Sequence, residues 1–147
     1  MKIKVTADTV SPTLRQLNQR LGDLSVVFNQ YGAYQDRATD NLFKGQKDPY
    51  GGKWAKLAPS TVERKRKTGG INKILQNRGH MRATASSKST SKSFIHGFND
   101  SKAIYHDLGT RKMPKRQLLP DESRGLPKAS SDELERLAQR FVNRIWG

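Results

Sequence analysis

One stripe of apolar residues constrains this chain more than any other feature. Leu14, Leu17, Leu21, Leu24, Phe28, Tyr31, Ala38 and Leu42 fall three, four or seven positions apart, and only Gln35 interrupts them. That is the spacing of one face of an α-helix. Ser11 followed by Pro12 supplies a start signal, a capping side chain and then a proline at the first helical position. The pattern predicts a helix from about residue 12 to Phe43, roughly 45–50 Å long at 1.5 Å per residue. Gly22 and Gly32 are the points where it bends or splits. A helix this long exceeds what a chain of 147 residues needs for its own core. Part of it is therefore expected to pack against another subunit.

The remaining elements are shorter. KIKVT, residues 2–6, alternates polar and apolar and reads as a half-buried strand. Residues 44–58 show no period and form a loop. Ser60 and Glu63 have the spacing of a capping box at the head of a basic helix, TVERKRKT, that stops at Gly69–Gly70. A further helical turn is expected over Ile71–Leu75. Strands are expected near 81–87, 92–98 and 102–107, with the serine-rich 86–92 stretch as a polar loop tip. Residues 109–129 hold three of the six prolines and read as loop. A last helix is expected from Ser130 or Ser131, with Leu134, Leu137, Ala138, Phe141, Val142 and Ile145 on one face. Asp132, Glu133 and Glu135 then fall in its first turn, and Arg140 and Arg144 near its end, as the helix dipole favours. The fold class is α+β: one domain over 1–147, a small antiparallel sheet with a long N-terminal and a C-terminal helix, and long loops at about 44–58, 86–92 and 109–129.

Charge narrows the function. The chain carries 28 Lys and Arg against 13 Asp and Glu, a formal net charge of +15, while only 33% of its residues are hydrophobic. Eleven cations lie between Lys53 and Lys92, opposed by Glu63 alone. The candidates for contact with DNA or an acidic partner are Arg64, Lys65, Arg66, Lys67, Lys73, Arg78, Lys88 and Lys92, with Arg111 and Lys112 in a second cluster. A solvated basic face is the plainer reading of the same residues. No nucleic-acid motif or aromatic ladder accompanies them, so any DNA contact is expected at the backbone, without base reading. No membrane contact is expected, because the cations do not lie on an amphipathic helix with a large apolar face.

Signals for catalysis are weak. Cysteine is absent, which removes thiolate chemistry and disulfides. His80, His96 and His106 lack metal-ligand spacing. No GxSxG or phosphate-cradle motif occurs, and Gly51–Gly52–Lys53 is better explained by a tight turn. Neither catalytic nor cofactor-binding residues are assigned, and no cofactor or metal is expected. MKIKVTADTV has no apolar segment of a signal peptide, so synthesis in a cytoplasm is expected.

The order of short motifs is more telling. Phe43, then Gln46-x-Asp48-Pro49-x-Gly51, Trp54, Leu57 and Pro59-Ser60-Thr61, resembles the virion morphogenesis, or tail completion, family of tailed phages. Ile74-Leu75 and Gly79 continue the likeness. So do Tyr105, His106 and Gly109, then Pro114 and Arg116 within Pro114-Lys115-Arg116-Gln117-Leu118-Leu119. The resemblance covers about residues 40–145. It departs at His106, where the family has alanine, at His80-Met81 after Gly79, and at Leu118, where phenylalanine is usual.

The resemblance implies a non-enzymatic structural protein of the neck or head-proximal tail, completing one part so that head and tail join. It implies a ring, typically of six copies, beside a tail terminator, tail tube or head connector. The protein would occupy the virion, after a stay in the host cytoplasm during assembly. The rival readings are a non-specific nucleic-acid-binding protein acting free in the host, and a small hydrolase. In the motif loop, Asp48-Pro49-x-Gly51 is expected to form a rigid turn. Trp54 and Leu57 are expected to fold back onto the helix or sheet and anchor it.

Overall fold

The long stripe breaks at Gly22. In the computed structural model, which describes residues 1–6 and 12–146, two helices replace the single one: α1, Pro12–Leu21, and α2, Ser25–Gly45. Gly22 takes φ +67° and its N–H closes on the Asn18 carbonyl at 3.1 Å. Asp23 then starts the next helix by accepting the Ser25 N–H at 2.9 Å. That hydrogen bond favours the ionised form and lowers the Asp23 pKa. Gly32, the second weak point, stays helical. Its bare Cα faces the Phe94 ring, and an added Cβ would lie 3.4 Å from Phe94 Cε2. The proposed Ser11 cap lies outside the described residues, but the helix does start at Pro12.

The other elements are β1, Lys2–Thr6; α3, Pro59–Thr68; α4, His80–Ala83; β2, Ala85–Ser89; β3, Ser93–Phe98; α5, Ala103–Leu108; and α6, Lys128–Trp146. The three strands form one antiparallel sheet in the order β1-β3-β2. The fold is thus α+β, as the pattern of elements predicts.

Several expected boundaries need correction. The strand expected at 102–107 is instead the helix Ala103–Leu108. Asp100 opens α5 by accepting the Lys102 N–H at 2.8 Å on its side chain and the Ala103 N–H at 3.1 Å on its carbonyl. Its apolar residues do not form a strand face: Ile104, Tyr105 and Leu108 face solvent while Ala103 is buried. Ser60 does not cap α3. The helix begins one residue earlier at Pro59, after Ala58, without a side-chain cap, and Glu63 pairs forward with Arg66 at 2.6 Å. Its end at Gly69 is as expected, in the left-handed conformation. Ile71–Leu75 is not a helical turn: Lys73 and Gln76 pair as an antiparallel bridge across Leu75, whose φ is +59°. α6 starts at Lys128, directly after Pro127, so Asp132, Glu133 and Glu135 lie beyond its first turn. The 86–92 stretch is no loop tip. Most of it is strand β2, closed by a turn in which Thr90 Oγ1 accepts the Lys92 and Ser93 amides.

The chain forms two compact units. A helical unit comprises Lys2–Arg37, Ser87–His96 and Pro120–Gly147, and a motif unit comprises Met1, Ala38–Ser86 and Gly97–Leu119. The helical unit holds the hydrophobic core: Val5, Leu14, Leu17, Leu24, Val27, Phe28, Tyr31, Phe94, Leu134, Leu137 and Ala138. α1 packs on α6 there, and Tyr31 meets Phe94 edge-on at 4.9 Å. Five of the eight stripe residues, Leu14, Leu17, Leu24, Phe28 and Tyr31, lie in this core; Leu21 is exposed at the break, and Ala38 and Leu42 are half-buried in the motif unit.

Candidate functional site: the motif unit and its basic cleft

The first motif folds as the turn its residues predict. Asp48 Oδ1 accepts the amides of Tyr50 at 2.7 Å and Gly52 at 3.0 Å, and its own N–H reaches the Gly52 carbonyl at 2.7 Å. Gly51 adopts φ +91°, a conformation open mainly to glycine. A side chain at Gly52 would strike Asp48, since an added Cβ falls 2.6 Å from Oδ2. Lys47 and Lys53 bridge across this turn, and the Trp54 N–H closes on the Gln46 carbonyl at 2.9 Å.

Trp54 is buried and packs edge-on against Phe43 of α2, with ring centroids 5.5 Å apart. Phe43 in turn meets Phe98 of β3. The indole N–H donates to the Gln117 carbonyl at 2.9 Å. That bond joins the first motif to the second. Arg116 adds two more, Nε to the Ala55 carbonyl at 2.8 Å and Nη2 to the Lys56 carbonyl at 2.9 Å. The Arg116 amide donates to the His106 carbonyl at 2.8 Å. Arg116 is thus a buried strut between loops. Its neighbour Gly109, at φ +75°, admits no side chain, because a Cβ would come 2.9 Å from the Lys115 nitrogen. Leu57 and Thr61 are half-buried, whereas Ser60, Tyr105 and Pro114 are exposed.

Sequence reasoning did not assign roles to several residues that hold this unit together. Asp107 accepts the Leu118 and Leu119 amides at 2.7 and 3.1 Å. Gln46 Oε1 accepts the Ile74 amide at 2.8 Å, and Gln76 Nε2 donates to the Phe43 carbonyl at 3.0 Å. Arg82 bonds Asp40 and, through Nη1, Gln76 at 3.1 Å. Gln46 sits within the quoted motif, but nothing in the local pattern of the others marks them. Each serves a backbone or side chain brought near only by the fold.

Lys65 is a correction. Among the candidate cations it is buried, and Nζ donates to the carbonyls of Ile71 at 3.0 Å and Lys73 at 2.6 Å. Its burial lowers its pKa. It shapes the 69–76 turn and presents no charge outward. Arg64, Arg66, Lys67, Lys73, Arg78, Arg111 and Lys112 are exposed on the motif unit, with Arg66 held by Glu63. Lys88 and Lys92 are exposed on the β2–β3 hairpin and belong to the helical unit.

Of the exposed cations, Arg64, Arg78 and Lys112 border a cleft of about 990 Å³, together with Lys56 and Lys102. Leu57, Leu75, Met81, Met113 and Pro114 give it apolar surface, and Asp100 is its one carboxylate. His106 lines it, with a buried Nδ1 that has no hydrogen-bond partner. Burial, and then the Arg116 charge, lower the His106 pKa and keep the ring neutral near pH 7.

A second polar cluster lies in the helical unit. Ser87 Oγ donates to Asp36 Oδ1 at 2.6 Å and lies 2.8 Å from His96 Nδ1. The residue types are those of a hydrolase triad, but the order is not. There the histidine bridges serine and carboxylate; here serine sits between them. With its proton committed to Asp36, Ser87 accepts from His96 Nδ1. The His96 ring is fully buried and lies parallel to Phe94, so the cluster fastens β2 and β3 to α2. Among the described residues no group of three or more His, Asp or Glu is placed to hold a metal ion, and no helix is long and apolar enough to cross a membrane.

The geometry accounts for why the motif residues occur together, and a family model agrees with them along nearly the whole chain. The chain belongs to the phage virion morphogenesis family. The match covers residues 5–142, both units included. No curated protein and no solved structure matches the chain. As a virion morphogenesis protein it acts in the structure or assembly of a phage particle, and its place is the virion.

Proposed function

We propose that this virion morphogenesis protein completes the neck or the head-proximal end of the tail so that head and tail join. It works as a ring of six copies around the DNA channel. Its neighbours are a tail terminator, tail tube or head connector, and its role is structural, without catalysis. One observation carries the reading: the motif residues are spent on one another. Asp48, Trp54, Gly109 and Arg116 fix backbone in place through the contacts described above. Such residues build a rigid surface for neighbours to grip.

The test is electron microscopy of particles from a phage lacking this gene. Filled heads and separate tails should accumulate, and purified protein should join them. Intact, infectious virions without the protein would overturn the reading. The charge of the motif unit favours a second reading, nucleic-acid binding in the host cell. That reading requires affinity for any duplex that falls steeply with salt, and no association with particles.

A further inference from the structure

The cleft of the motif unit has two kinds of surface, and each asks for something different. Its rim is cationic: Arg64, Arg78 and Lys112 are exposed there. Asp100 is the single carboxylate in the lining and is outnumbered by Lys56, Arg64, Arg78, Lys102 and Lys112. The apolar part is methionine-lined, with Met81 buried and Met113 half-buried. Methionine adapts its shape to varied apolar side chains, which suits it to peptide grooves. Phosphates of a duplex would use the rim alone, because they are contacted at a surface and have no apolar group to offer. The volume, about 990 Å³, is that of a site which encloses side chains.

We propose that this cleft is a docking site for an acidic segment of a partner protein, one whose carboxylates flank an apolar side chain. The arginines take the carboxylates in two-pronged contacts, and the methionine surface takes the apolar residue. The proposal does not depend on where in the virion the protein sits.

The test uses the purified full chain and three probes: a fluorescent peptide of Glu and Asp flanking Leu-Phe, the same peptide with Gly-Gly in place of Leu-Phe, and a short DNA duplex. The first peptide should bind at least about tenfold more tightly than the second. R64E and R78E should each weaken it by roughly tenfold. M113Q should weaken it several-fold, and K88E, outside the motif unit, should leave it unchanged. Equal binding of the two peptides would overturn the proposal, and that comparison needs no variant to fold. Duplex that displaces the peptide and binds M113Q as well as the unaltered protein would give the cleft to nucleic acid instead.

Discussion

The two units of this chain solve the same problem with different means. The helical unit buries a continuous apolar cluster on helices whose spacing announces it. The motif unit has a smaller aromatic group, Phe43, Trp54 and Phe98, and relies on side chains that satisfy backbone across loops. Lys65, Gln76, Arg116 and Gln117 are all buried there, and each donates to a main-chain carbonyl. Charge divides the same way. The motif unit carries sixteen Lys and Arg against five Asp and Glu, the helical unit twelve against eight. An apolar core tolerates exchange among side chains of similar volume. A lattice of side-chain-to-carbonyl bonds does not, because each broken bond leaves a buried group unsatisfied. The motifs that carry the family resemblance lie in the second kind of unit.

The most damaging single change should therefore be at Trp54. Trp54→Ala removes a buried ring and the bond to Gln117, at a cost of about 3–5 kcal/mol in a denaturation experiment. Amide exchange sharpens the comparison. Protection should fall at 46–58 and 116–119 and persist in α1 and α6. Equal loss in both units would mean that they open as one cooperative body.

Arg116→Ala comes next. It strands the carbonyls of Ala55 and Lys56 at about 1–3 kcal/mol, and Arg116→Lys should recover little, since one ammonium does not replace the two-pronged contact. Full rescue by lysine would show that charge, not geometry, is what the second motif supplies.

How far each unit was legible in the sequence follows the same division. Helical periodicity identified most of the stripe and the core face of α6 up to the exposed Ile145, and two-residue alternation identified the strand at 2–6, since period is a local property of the chain. The break at Gly22 was one of two marked positions. Asp23 decides it, through a cap visible only once the turn forms. In the motif unit the turn at Asp48 was legible, because aspartate, proline and glycine specify it locally. The Trp54–Gln117 and Arg116–Ala55 bonds span about sixty residues, and no local pattern records them. Lys65 was misread for a related reason. Inside a run of exposed cations, nothing local marks the one that turns inward to the Ile71 and Lys73 carbonyls. The strand expected at 102–107 failed because the apolar Ile104, Tyr105 and Leu108 are exposed on a short helix and mark no core face.

Acid should act on both units through one histidine each. Burial lowers the pKa of His96 in the helical unit and of His106 in the motif unit below the ordinary 6.5. The folded protein then holds both rings neutral, while the unfolded chain protonates at its ordinary pKa. The stability this provides is complete above 6.5 and is lost as pH falls through 6.5 towards the folded pKa. The urea midpoint should drop over that range. His96→Phe should remove the helical unit's share of the slope and His106→Gln the motif unit's share. An unchanged slope in either variant would clear that histidine.

The smallest effect belongs to the surface ion pairs, and it separates net charge from individual contacts. Glu63–Arg66 in the motif unit and Lys128–Asp132 in the helical unit join exposed side chains at one-turn spacing. In water such pairs gain little over their hydrated separate charges, and salt screens what remains. Glu63→Gln and Asp132→Asn should leave the denaturation midpoint within experimental error at moderate salt. At low salt the two should diverge. Removing Glu63 takes one of only five acids from a unit already rich in cations, so repulsion within that unit should lower its midpoint more than the matching change lowers the helical unit's. Equal shifts at low salt would mean that the cations of the motif unit are too widely spaced to repel one another. Its charge would then act only where the fold gathers it, at the cleft.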